Sequence, residues 1–451
     1  MVSSATDTIA AIATPPGQGG VGIVRVSGPD TPAIAEALLG RLPPPRRAAI
    51  HGFRAADDTL IDEGLVLYFA APASFTGEHV LELHGHGGPV VMDLLLQRVL
   101  SLGARPARPG EFSERAYLHD KLDLAQAEAI ADLIESGTAQ AARAAVRSLQ
   151  GDFSRRVNAL IDALTQVRIY VEAAIDFPEE EIDFLGDAAL RPMLAALQAY
   201  FSDIMSRAQQ GRLLRDGMTL VIAGRPNAGK SSLLNILAGS DAAIVTEVPG
   251  TTRDVLREHI QVDGLPLHII DTAGLHSSDD PVEQAGMQRT RDMLAQADRV
   301  LLVIDDQPGF TPADADILEE LPAGVPHTRV FNKIDVSGRA AGVCHDADQA
   351  TVAISAHTLA GVDELRTYLK DCAGYTEQSE GGFSARRRHL EALQQASQRV
   401  TDGIQQLEQQ RAGELLAEEL RQAQQLLGEI TGAVSSDELL GRIFSSFCIG
   451  K

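Results

Sequence analysis

The sequence lacks the features that mark membrane and secreted proteins. No stretch approaches the roughly 18 uninterrupted apolar residues of a membrane-spanning helix. The first ten residues, MVSSATDTIA, contain no basic region followed by an apolar run, so a signal peptide is not expected. Tryptophan is absent and aromatic residues make up only 4% of the chain, which leaves few large side chains for stacking on nucleobases. We therefore expect a cytoplasmic protein that does not insert into a membrane.

Cysteine and positive charge are also scarce. The three cysteines, Cys344, Cys372 and Cys448, lie far apart and form no CxxC pair. This spacing argues for a reducing compartment and against disulfides or a zinc site. Asp and Glu number 62 against 39 Lys and Arg, giving a net charge of −23. Such a surface repels nucleic acid, so any role on nucleic acid requires a local basic patch or a basic partner protein.

The chain length and the change of sequence texture predict several domains. At 451 residues, about three domains are expected. Residues 6–120 read as an α/β unit, with strands predicted at 23–26, 65–69 and 80–83 and a helix over 89–102. A second set of strands is predicted in the middle of the chain, at 219–223, 267–270, 300–304, 328–331 and 351–354.

Helical composition surrounds that second set of strands. It extends from about 121 to 215 and returns near 383, where Leu393, Val400, Ile404 and Leu407 recur at helical spacing. The pattern favours one helical domain interrupted by an inserted α/β domain; two separate helical pieces are the alternative. The predicted boundaries are 1–120 for the N-terminal domain, 121–215 and 377–451 for the helical domain, and 216–376 for the insertion.

The inserted domain begins with a phosphate-binding loop. Residues 224–232 read GRPNAGKSS, which has the form GxxxxGK[ST]. Gly224 and Gly229 allow backbone N–H groups to turn inward around the β-phosphate. Lys230 places a charge against the β and γ oxygens, and the hydroxyl of Ser231 is suited to ligate Mg²⁺. This loop alone predicts nucleotide binding without specifying the base.

Two further blocks identify the nucleotide as a guanine nucleotide. DTAG at 271–274 offers Asp271 to the Mg²⁺ shell through water and the Gly274 amide to a γ-phosphate. NKID at 332–335 supplies Asp335, which can accept two hydrogen bonds from the guanine N1–H and N2 amino groups. Adenine offers no such pair, and a site built for it discriminates by a factor of about 10⁴. The three blocks in this order predict a GTP-binding switch.

Other segments of the inserted domain fit the same interpretation. In AIVTEVPGTTRD at 243–254, Thr251 and Thr252 could each reach Mg²⁺, although a turn-capping role is the alternative. After the last predicted strand, Ser355 and Ala356 can place their backbone against the guanine O6.

No glutamine follows DTAG, where many GTPases orient the attacking water with one. Leu275 and His276 stand there instead. Hydrolysis therefore uses another group, or the switch is slow. Glu283 is a candidate for positioning water, and a solvated acidic loop is the alternative. Asn227 could help to bind a monovalent cation that supplies positive charge at the phosphates; capping the next helix is the alternative.

Two short motifs lie outside the inserted domain. HGHGG at 84–88 contains two histidines but no evident third metal ligand, so we predict a glycine-rich turn. The chain ends FCIGK, which fits a prenylation box poorly. Cys448 follows an apolar run and is predicted to have a defined position; a plain buried or frayed thiol is the alternative.

Several long blocks together resemble one family. They are DTIAAIATPPGQGGVGIVRVSG near the start, SFTGEHVLELHGHGGP at 74–89, RPGEFSERAYLHDKLDLAQAEAIADLI at 108–134, the nucleotide motifs and the FCIGK terminus. Over essentially its whole length the chain resembles the tRNA-modification GTPases known as MnmE or TrmE. The resemblance implies an α/β multidomain fold: an N-terminal α/β folate-binding and dimerisation domain, a discontinuous α-helical domain and an inserted Ras-like P-loop GTPase domain.

The resemblance also implies an activity and partners. A homodimer would join a flavoprotein of the MnmG/GidA type in a heterotetramer, with tRNA held mainly through that partner. Together they would modify carbon 5 of the wobble uridine in certain tRNAs, adding aminomethyl or carboxymethylaminomethyl groups. The one-carbon unit would come from a tetrahydrofolate derivative, in the 5-formyl or methylene form. A ribosome-assembly GTPase and a helical scaffold for the flavoprotein are the alternatives, against which the terminal blocks and the intact nucleotide motifs argue.

The resemblance finally implies roles for individual residues. The K⁺ ligands would be Asn227, Thr246, Val248 and Thr251, and the Mg²⁺ ligands Ser231 and Thr252. Folate would contact Arg25, Glu82, Lys121 and Lys451. The candidate catalytic residues are Lys230, Cys448 and the water-orienting Glu283. The candidate nucleotide contacts are Asn227, Ala228, Gly229, Lys230, Ser231, Ser232, Thr246, Glu247, Val248, Pro249, Gly250, Thr251, Thr252, Asp271, Thr272, Ala273, Gly274, Asn332, Lys333, Asp335, Ser355, Ala356 and His357. The chain departs from the family pattern at Gln18 and His276, where arginine is usual.

Overall fold

The structure is a computed structural model that describes residues 7–176, 189–239, 257–271, 297–319, 325–346, 349–375 and 382–450. The chain forms two compact units. The first unit comprises Met1–Ala131, Ser148–Phe201 and Ala392–Lys451, and the second comprises Asp132–Arg147 and Ser202–Glu391.

The strands and helices of the described residues are as follows. The strands are β1 (Ile9–Ile12), β2 (Gly19–Ser27), β3 (Ala49–Arg54), β4 (Leu60–Phe69), β5 (Val80–Gly87), β6 (Arg105–Pro106), β7 (Met218–Ala223), β8 (Arg257–Val262), β9 (Leu265–Asp271), β10 (Arg299–Asp305), β11 (His327–Asn332), β12 (Gly342–Asp346) and β13 (Gln349–Ala353). The helices are α1 (Thr31–Leu39), α2 (Pro89–Ser101), α3 (Glu111–Leu118), α4 (Leu124–Glu135), α5 (Ala139–Leu149), α6 (Asp152–Asp176), α7 (Leu190–Asp216), α8 (Lys230–Ala238), α9 (Pro312–Glu319), α10 (Ile334–Ser337), α11 (Val362–Ala373), α12 (Arg387–Gln410), α13 (Gly413–Thr431) and α14 (Asp437–Ser445).

The first unit contains a six-stranded sheet in the order β3-β4-β5-β2-β1-β6. Alternate side chains of β2 and β5, such as Val24, Val26 and Leu81, are buried with Leu95 of α2 in one core. This alternation is typical of a sheet with one face covered by helices. The opposite face carries Arg25 and Glu82, which are paired across the two strands. The sheet thus provides a polar surface backed by an apolar core.

The second unit contains a seven-stranded sheet in the order β12-β13-β11-β10-β7-β9-β8. The five central strands run parallel, and β8 and β12 are antiparallel edges. Leu301 and Val303 are buried in one core, whereas Leu302 and Ile304 are buried in another. Burial on both faces explains the continuous apolar run of β10. In such a sheet, ligands bind at the carboxyl ends of the parallel strands.

The strands predicted from sequence all occur, although the last one ends a residue earlier than predicted, and the helix predicted over 89–102 is α2. The turn predicted at HGHGG is wrong, because β5 continues through Gly87. Gly85 pairs with Gly22, and Gly87 pairs with Gly19. A Cβ on Gly87 would lie 2.7 Å from the carbonyl oxygen of Gly19, so this glycine permits close strand approach rather than a turn.

The two histidines of that motif bind carboxylates. His84 Nε2 lies 3.3 Å from Glu82 Oε2, and His86 Nδ1 lies 2.8 Å from Asp62 Oδ1. Among the described residues, no group of three or more His, Cys, Asp or Glu side chains is placed to hold a metal ion. Within those same ranges, no helix combines the length and apolar character needed to cross a membrane.

Candidate functional site

The phosphate loop joins β7 to α8. Positive φ angles occur at Gly224 (143°), Asn227 (64°) and Gly229 (100°), after which α8 begins at Lys230. A Cβ on Gly224 would lie 2.3 Å from the carbonyl oxygen of Val303, so the loop rests closely against β10. The first-turn amides of α8 therefore border the loop, an arrangement that binds anions.

The charged and hydroxyl groups of the loop fit a nucleotide phosphate. Lys230 Nζ donates to the carbonyl oxygens of Gly224 (2.7 Å) and Arg225 (3.0 Å), so its charge lies across the loop. Ser231 and Ser232 are exposed on the first turn of α8, and the former can offer its hydroxyl to Mg²⁺. The N-cap of α8 is Gly229, with no side-chain cap bond, so the capping alternative for Asn227 is wrong.

Asn332 ties three nucleotide loops together. Its side chain is buried at the end of β11, and its Nδ2 donates to the carbonyl oxygen of Ala228 at 3.0 Å. Its Oδ1 accepts from the amides of Lys333 (2.8 Å) and Ala356 (2.9 Å). One buried amide thus fixes the phosphate loop against both base-binding loops, which explains why a polar residue is needed at the buried end of β11.

The Asp335 carboxylate, which is predicted to read the base, is held by side chains that follow β13. Its Oδ1 accepts from the Ser355 hydroxyl at 2.6 Å, and its Oδ2 lies 3.9 Å from Nδ1 of the exposed His357. The amides of Ser355 and Ala356 donate to the oxygens of Ala360 and Asn332. Both amides therefore have protein acceptors, and their contact with guanine O6 stays a prediction.

Two acids that the sequence analysis did not single out support the NKID loop. Lys333 Nζ donates to Asp305 Oδ2 at 2.6 Å, and this bond lowers the pKa of Asp305. The buried Asp306 accepts from Arg339 Nε at 2.8 Å and from the Ser337 hydroxyl. Acids that directly follow a buried parallel strand lie at the ligand-binding edge, and that position is the signal that could have found them.

The predicted nucleotide site lies partly outside the described residues. Asp271 ends β9 beside Ile222 of β7, at the nucleotide edge of the sheet. The following predicted residues lie outside the described ranges: Thr246, Glu247, Val248, Pro249, Gly250, Thr251, Thr252, Thr272, Ala273, Gly274, Glu283 and Lys451.

The first unit contains a second polar cluster around Arg25. Its Nε and Nη2 lie 3.0 Å and 2.9 Å from Glu82 Oε1, and its Nη1 donates to the Gly450 carbonyl at 3.3 Å. The guanidinium carbon lies 5.9 Å from the ring centre of Phe75 and 5.7 Å from that of Phe112. Arg25 thus connects the sheet, two aromatic rings and the end of the chain.

The FCIGK terminus is anchored by its backbone. The amide of Gly110 donates to the Cys448 carbonyl at 3.3 Å, and Phe447 packs edge-on against Phe444 with ring centres 5.5 Å apart. The Cys448 thiol is exposed, so the buried-thiol alternative is wrong. Lys121 Nζ donates to the carbonyl oxygen of Pro72 at 2.9 Å rather than to the Arg25–Glu82 pair.

The chain is similar to known proteins over residues of both units. The family model described as "GTP-binding protein TrmE N-terminus" matches residues 8–121, and the one described as "MnmE helical domain" matches residues 124–448. The chain is 61% identical to the tRNA modification GTPase MnmE of Stutzerimonas stutzeri over 99% of both chains. It is 60% identical to the proteins of that name in Ectopseudomonas mendocina, over 100% of both chains, and Marinobacter nauticus, over 99% of both. The chain therefore belongs to the MnmE (TrmE) family of tRNA modification GTPases.

Proposed function

We propose that this GTPase, together with a flavoprotein partner, modifies carbon 5 of the wobble uridine in certain tRNAs with a one-carbon unit from a tetrahydrofolate derivative. One observation carries the proposal: the chain holds two separate polar sites. In the second unit, the bonds of Asn332 to Ala228 and of Ser355 to Asp335 support a guanine-nucleotide site. In the first unit, Arg25 pairs with Glu82 and donates to the Gly450 carbonyl oxygen in the segment that carries Cys448.

The nucleotide site suits GTP with Mg²⁺. Lys230 and the N-terminus of α8 would hold the phosphates. Ser231 and Thr252 would ligate the Mg²⁺, and Asp335 would bind the guanine. Glu283 would orient water for hydrolysis. When bound, GTP supplies the free energy of phosphoryl transfer, which the chain can use to change conformation.

The cluster around Arg25 suits a folate. The side chains of Arg25 and Glu82 are 23% and 16% exposed, so each can offer a polar edge to a ligand. Phe75 lies beside them and is 38% exposed, which supplies an apolar surface for a ring. Because Glu82 already neutralises the positive charge of Arg25, Lys121 and Lys451 would bind the acidic tail of the folate. The bound folate would supply the one-carbon unit.

The surface of the first unit supports dimer formation. Ile50 on the edge strand β3 is 70% exposed, and Leu60 on β4 and Val90 on α2 are 57% and 72% exposed. An apolar edge strand pairs readily with another chain. The net charge of −23 supports a basic flavoprotein that holds the tRNA within a heterotetramer. Such an assembly would work in the cytoplasm.

Nucleoside analysis tests this proposal directly. Wobble uridines from cells lacking this chain are expected to lose their carbon-5 modification, and mass spectrometry of digested tRNA measures that loss. Restoring the parent gene is expected to restore the modification, whereas a gene that encodes Lys230→Ala is expected not to restore it. Unchanged wobble uridines in the deleted strain would refute the proposal.

GTP hydrolysis is expected to depend on K⁺. No glutamine follows DTAG to orient the attacking water, and no arginine finger is identifiable in the sequence to stabilise the charge that develops on the phosphate. A cation held by Asn227, Thr246, Val248 and Thr251 would supply that positive charge. Replacing K⁺ with Na⁺ at fixed ionic strength is expected to slow hydrolysis by about tenfold or more. Initial rates of phosphate release at saturating GTP measure the effect.

Asn227→Ala provides the matched comparison for the cation site. This variant is expected to hydrolyse GTP at the same reduced rate in both salts. Asn227 is exposed and does not cap α8, so its replacement should preserve the fold and cost only about 1 kcal/mol, because alanine tolerates the φ of 64° less well than asparagine. Equal rates for the parent protein in K⁺ and Na⁺ would contradict the prediction.

The chain terminus is expected to serve modification rather than hydrolysis. Cys448→Ser keeps the size of the exposed side chain and should leave GTP turnover within about twofold of the parent, because surface substitutions rarely disturb a fold. Modification in the reconstituted system should fall strongly. Removal of Lys451 should weaken folate binding and impair tRNA modification. It should likewise leave GTP turnover near that of the parent.

Both activities must be measured on the same preparations. If GTP turnover falls in step with modification, the tail acts through folding or the switch. If both variants modify tRNA normally, the terminus is only a structural end. A substitution of the exposed Cys344, which lies on β12, serves as the thiol control and should change neither activity.

A further inference from the structure

The β8–β9 hairpin joins the two segments predicted to sense the nucleotide. Arg257 pairs with Ile270, so the start of β8 and the end of β9 lie at one end of the hairpin. Segment 243–254 precedes that end in the chain, and DTAG begins at Asp271. The turn at Asp263 and Gly264 lies at the opposite end, about 20 Å away for seven extended residues. The hairpin therefore runs along the strands from the end of the sheet that is predicted to bind the nucleotide to the opposite end.

The tip of the hairpin is held by helices. Lys370 Nζ of α11 lies 2.7 Å from Asp263 Oδ2, and the Tyr375 hydroxyl donates to the Asp263 carbonyl at 3.4 Å. At Gly264, which has a φ of 90°, a Cβ would lie 2.4 Å from Nε2 of Gln140. Gln140 belongs to α5, so a helix from outside the predicted GTPase domain rests on the tip.

A second contact joins β9 to the end of α7. His268 Nε2 forms a hydrogen bond of 2.7 Å with the Asp216 carbonyl, the last residue of the helix. A Cβ on the next residue, Gly217, would lie 2.8 Å from both His268 Nε2 and the Pro266 carbonyl oxygen. The close approach and the φ of 68° both require glycine there. A shift of β9 therefore acts directly on α7.

One carboxylate joins α7 to two other helical segments. The Asp132 side chain is 4% exposed and accepts from Arg215 Nε at 2.8 Å, from Arg386 Nη2 at 2.7 Å and from the Ser384 hydroxyl at 2.5 Å. Asp132 lies in α4, Arg215 in α7, and Arg386 directly precedes α12. Each of these three helices has residues in both units: α4 and α7 begin in the first unit and end in the second, whereas α12 begins in the second unit and ends in the first. The ends of the three helices are thus coupled through charge.

A cavity beside this cluster leaves room for movement. It has a volume of about 230 Å³ and is lined by residues of the second unit that include Asp132, Glu135, Arg215, Asp216, His268 and Ser384. Protein interiors are normally close-packed. A space of mixed polar and apolar lining that is large enough for several water molecules lets His268 and Asp216 shift without displacing a packed core.

We propose that the β8–β9 hairpin is the element that carries the nucleotide state to the helices, and that the Asp132 cluster makes α4, α7 and α12 respond together. The inference rests on the proposed function, because it assigns the route by which GTP hydrolysis regulates tRNA modification. Such coupling is reciprocal: a change at the cluster alters the difference between the GTP-bound and GDP-bound states. The same change at the cluster can leave the affinities for GTP and for GDP close to those of the parent protein.

Hydrogen exchange of the full-length protein tests the route. We expect exchange in α4 and in the second half of α7 to differ between GDP and a non-hydrolysable GTP analogue. Asp132→Asn keeps the shape but removes the charge that joins two guanidinium groups. This variant should bind both nucleotides within about threefold of the parent, lose the exchange difference in α4, and modify tRNA at least about tenfold more slowly with its flavoprotein partner, a coupling loss of typical size.

Asp263→Asn guards against a folding defect, because the Asp263 side chain is 42% exposed and the amide oxygen of asparagine can still accept from Lys370 Nζ. It should also reduce the exchange difference. Asp203→Asn removes the exposed pair with Arg207 elsewhere on α7 and should behave like the parent protein. The inference is overturned if both Asp132→Asn and Asp263→Asn keep the full exchange difference. It is also overturned if Asp132→Asn loses nucleotide binding while Asp263→Asn behaves like the parent, since the cluster would then be purely structural.

The failure of the proposed function would look different. If the parent modifies tRNA at the same rate without GTP, the proposed link between hydrolysis and modification is wrong. The exchange difference between nucleotide states would still be measurable and would still report on the hairpin. If the parent itself shows no difference between the two nucleotide states, the hairpin does not transmit the state.

Discussion

Asp335→Asn is expected to reverse the base preference of this GTPase. A carboxylate accepts two hydrogen bonds from guanine, whereas an amide offers an N–H where guanine also offers one. Affinity for GTP should fall by about 10³-fold or more, because a polar group is left facing a like partner. Xanthosine triphosphate carries an oxygen at that position and should become the preferred ligand. Competition against a fluorescent guanine nucleotide at fixed Mg²⁺ and K⁺ measures both affinities.

The structure explains why the substitution Asp335→Asn should preserve the NKID loop. Ser355 donates its hydroxyl to Asp335 Oδ1 at 2.6 Å, and the amide oxygen of asparagine can accept the same bond. Ser355→Ala is the matched control: it loosens the side chain but keeps the carboxylate, so it should weaken GTP binding by about tenfold or less without favouring xanthosine triphosphate. Retained GTP preference in Asp335→Asn, or equal ATP and GTP affinity in the parent, would contradict this account of base recognition.

The nucleotide loops were predictable because their chemistry acts over short sequence distances. Gly224 and Gly229 adopt the positive φ angles that a tight phosphate loop requires, and the motif already specifies glycine there. The apolar runs of β7 and β10 are buried on both faces, so composition alone indicated strands. Asp335 lies three residues after the end of β11, in α10, where a base-reading side chain is expected.

Long-range contacts were not predictable in the same way. Asp132 bonds to Arg215, 83 positions away, and to Arg386, 254 positions away. Nothing local distinguishes this aspartate from the other acids of a helical stretch. Helical periodicity also does not reveal which neighbour a helix end contacts, and Asp132–Arg147 packs within the second unit although α4 begins in the first.

The HGHGG motif shows a different limit. Glycine normally indicates a turn, because it tolerates positive φ angles. In β5 the glycines instead remove side chains where backbones approach, as at Gly87 beside Gly19. Sequence alone does not separate these two uses of glycine, since the second depends on strand pairing. The same ambiguity does not arise at Gly229, where a complete nucleotide motif surrounds the residue.

Gly229→Ala is expected to weaken nucleotide binding strongly. A Cβ at this position would lie 2.1 Å from Nδ2 of Asn332, so the asparagine or the phosphate loop must move. Either movement breaks the bond from Asn332 to the Ala228 carbonyl, which joins the phosphate loop to the base-binding loops. The φ of 100° adds backbone strain of about 1–2 kcal/mol. GTP affinity should fall by about 100-fold or more, since misplacing a positioning group by about 1 Å has effects of that size.

Gly309→Ala separates the local clash from backbone strain. Gly309 has a φ of 68°, but a Cβ there meets no atom within 4 Å. It should therefore lose about 1 kcal/mol of folding stability and bind GTP like the parent. Thermal unfolding and nucleotide titration of both variants give the comparison. Gly229→Ala should unfold cooperatively, because Leu233, Leu237 and the rest of the apolar core are untouched. Near-normal GTP affinity in Gly229→Ala would show that Asn332 can yield without disturbing the loop, and that its contact with Ala228 does not hold the phosphate site in place.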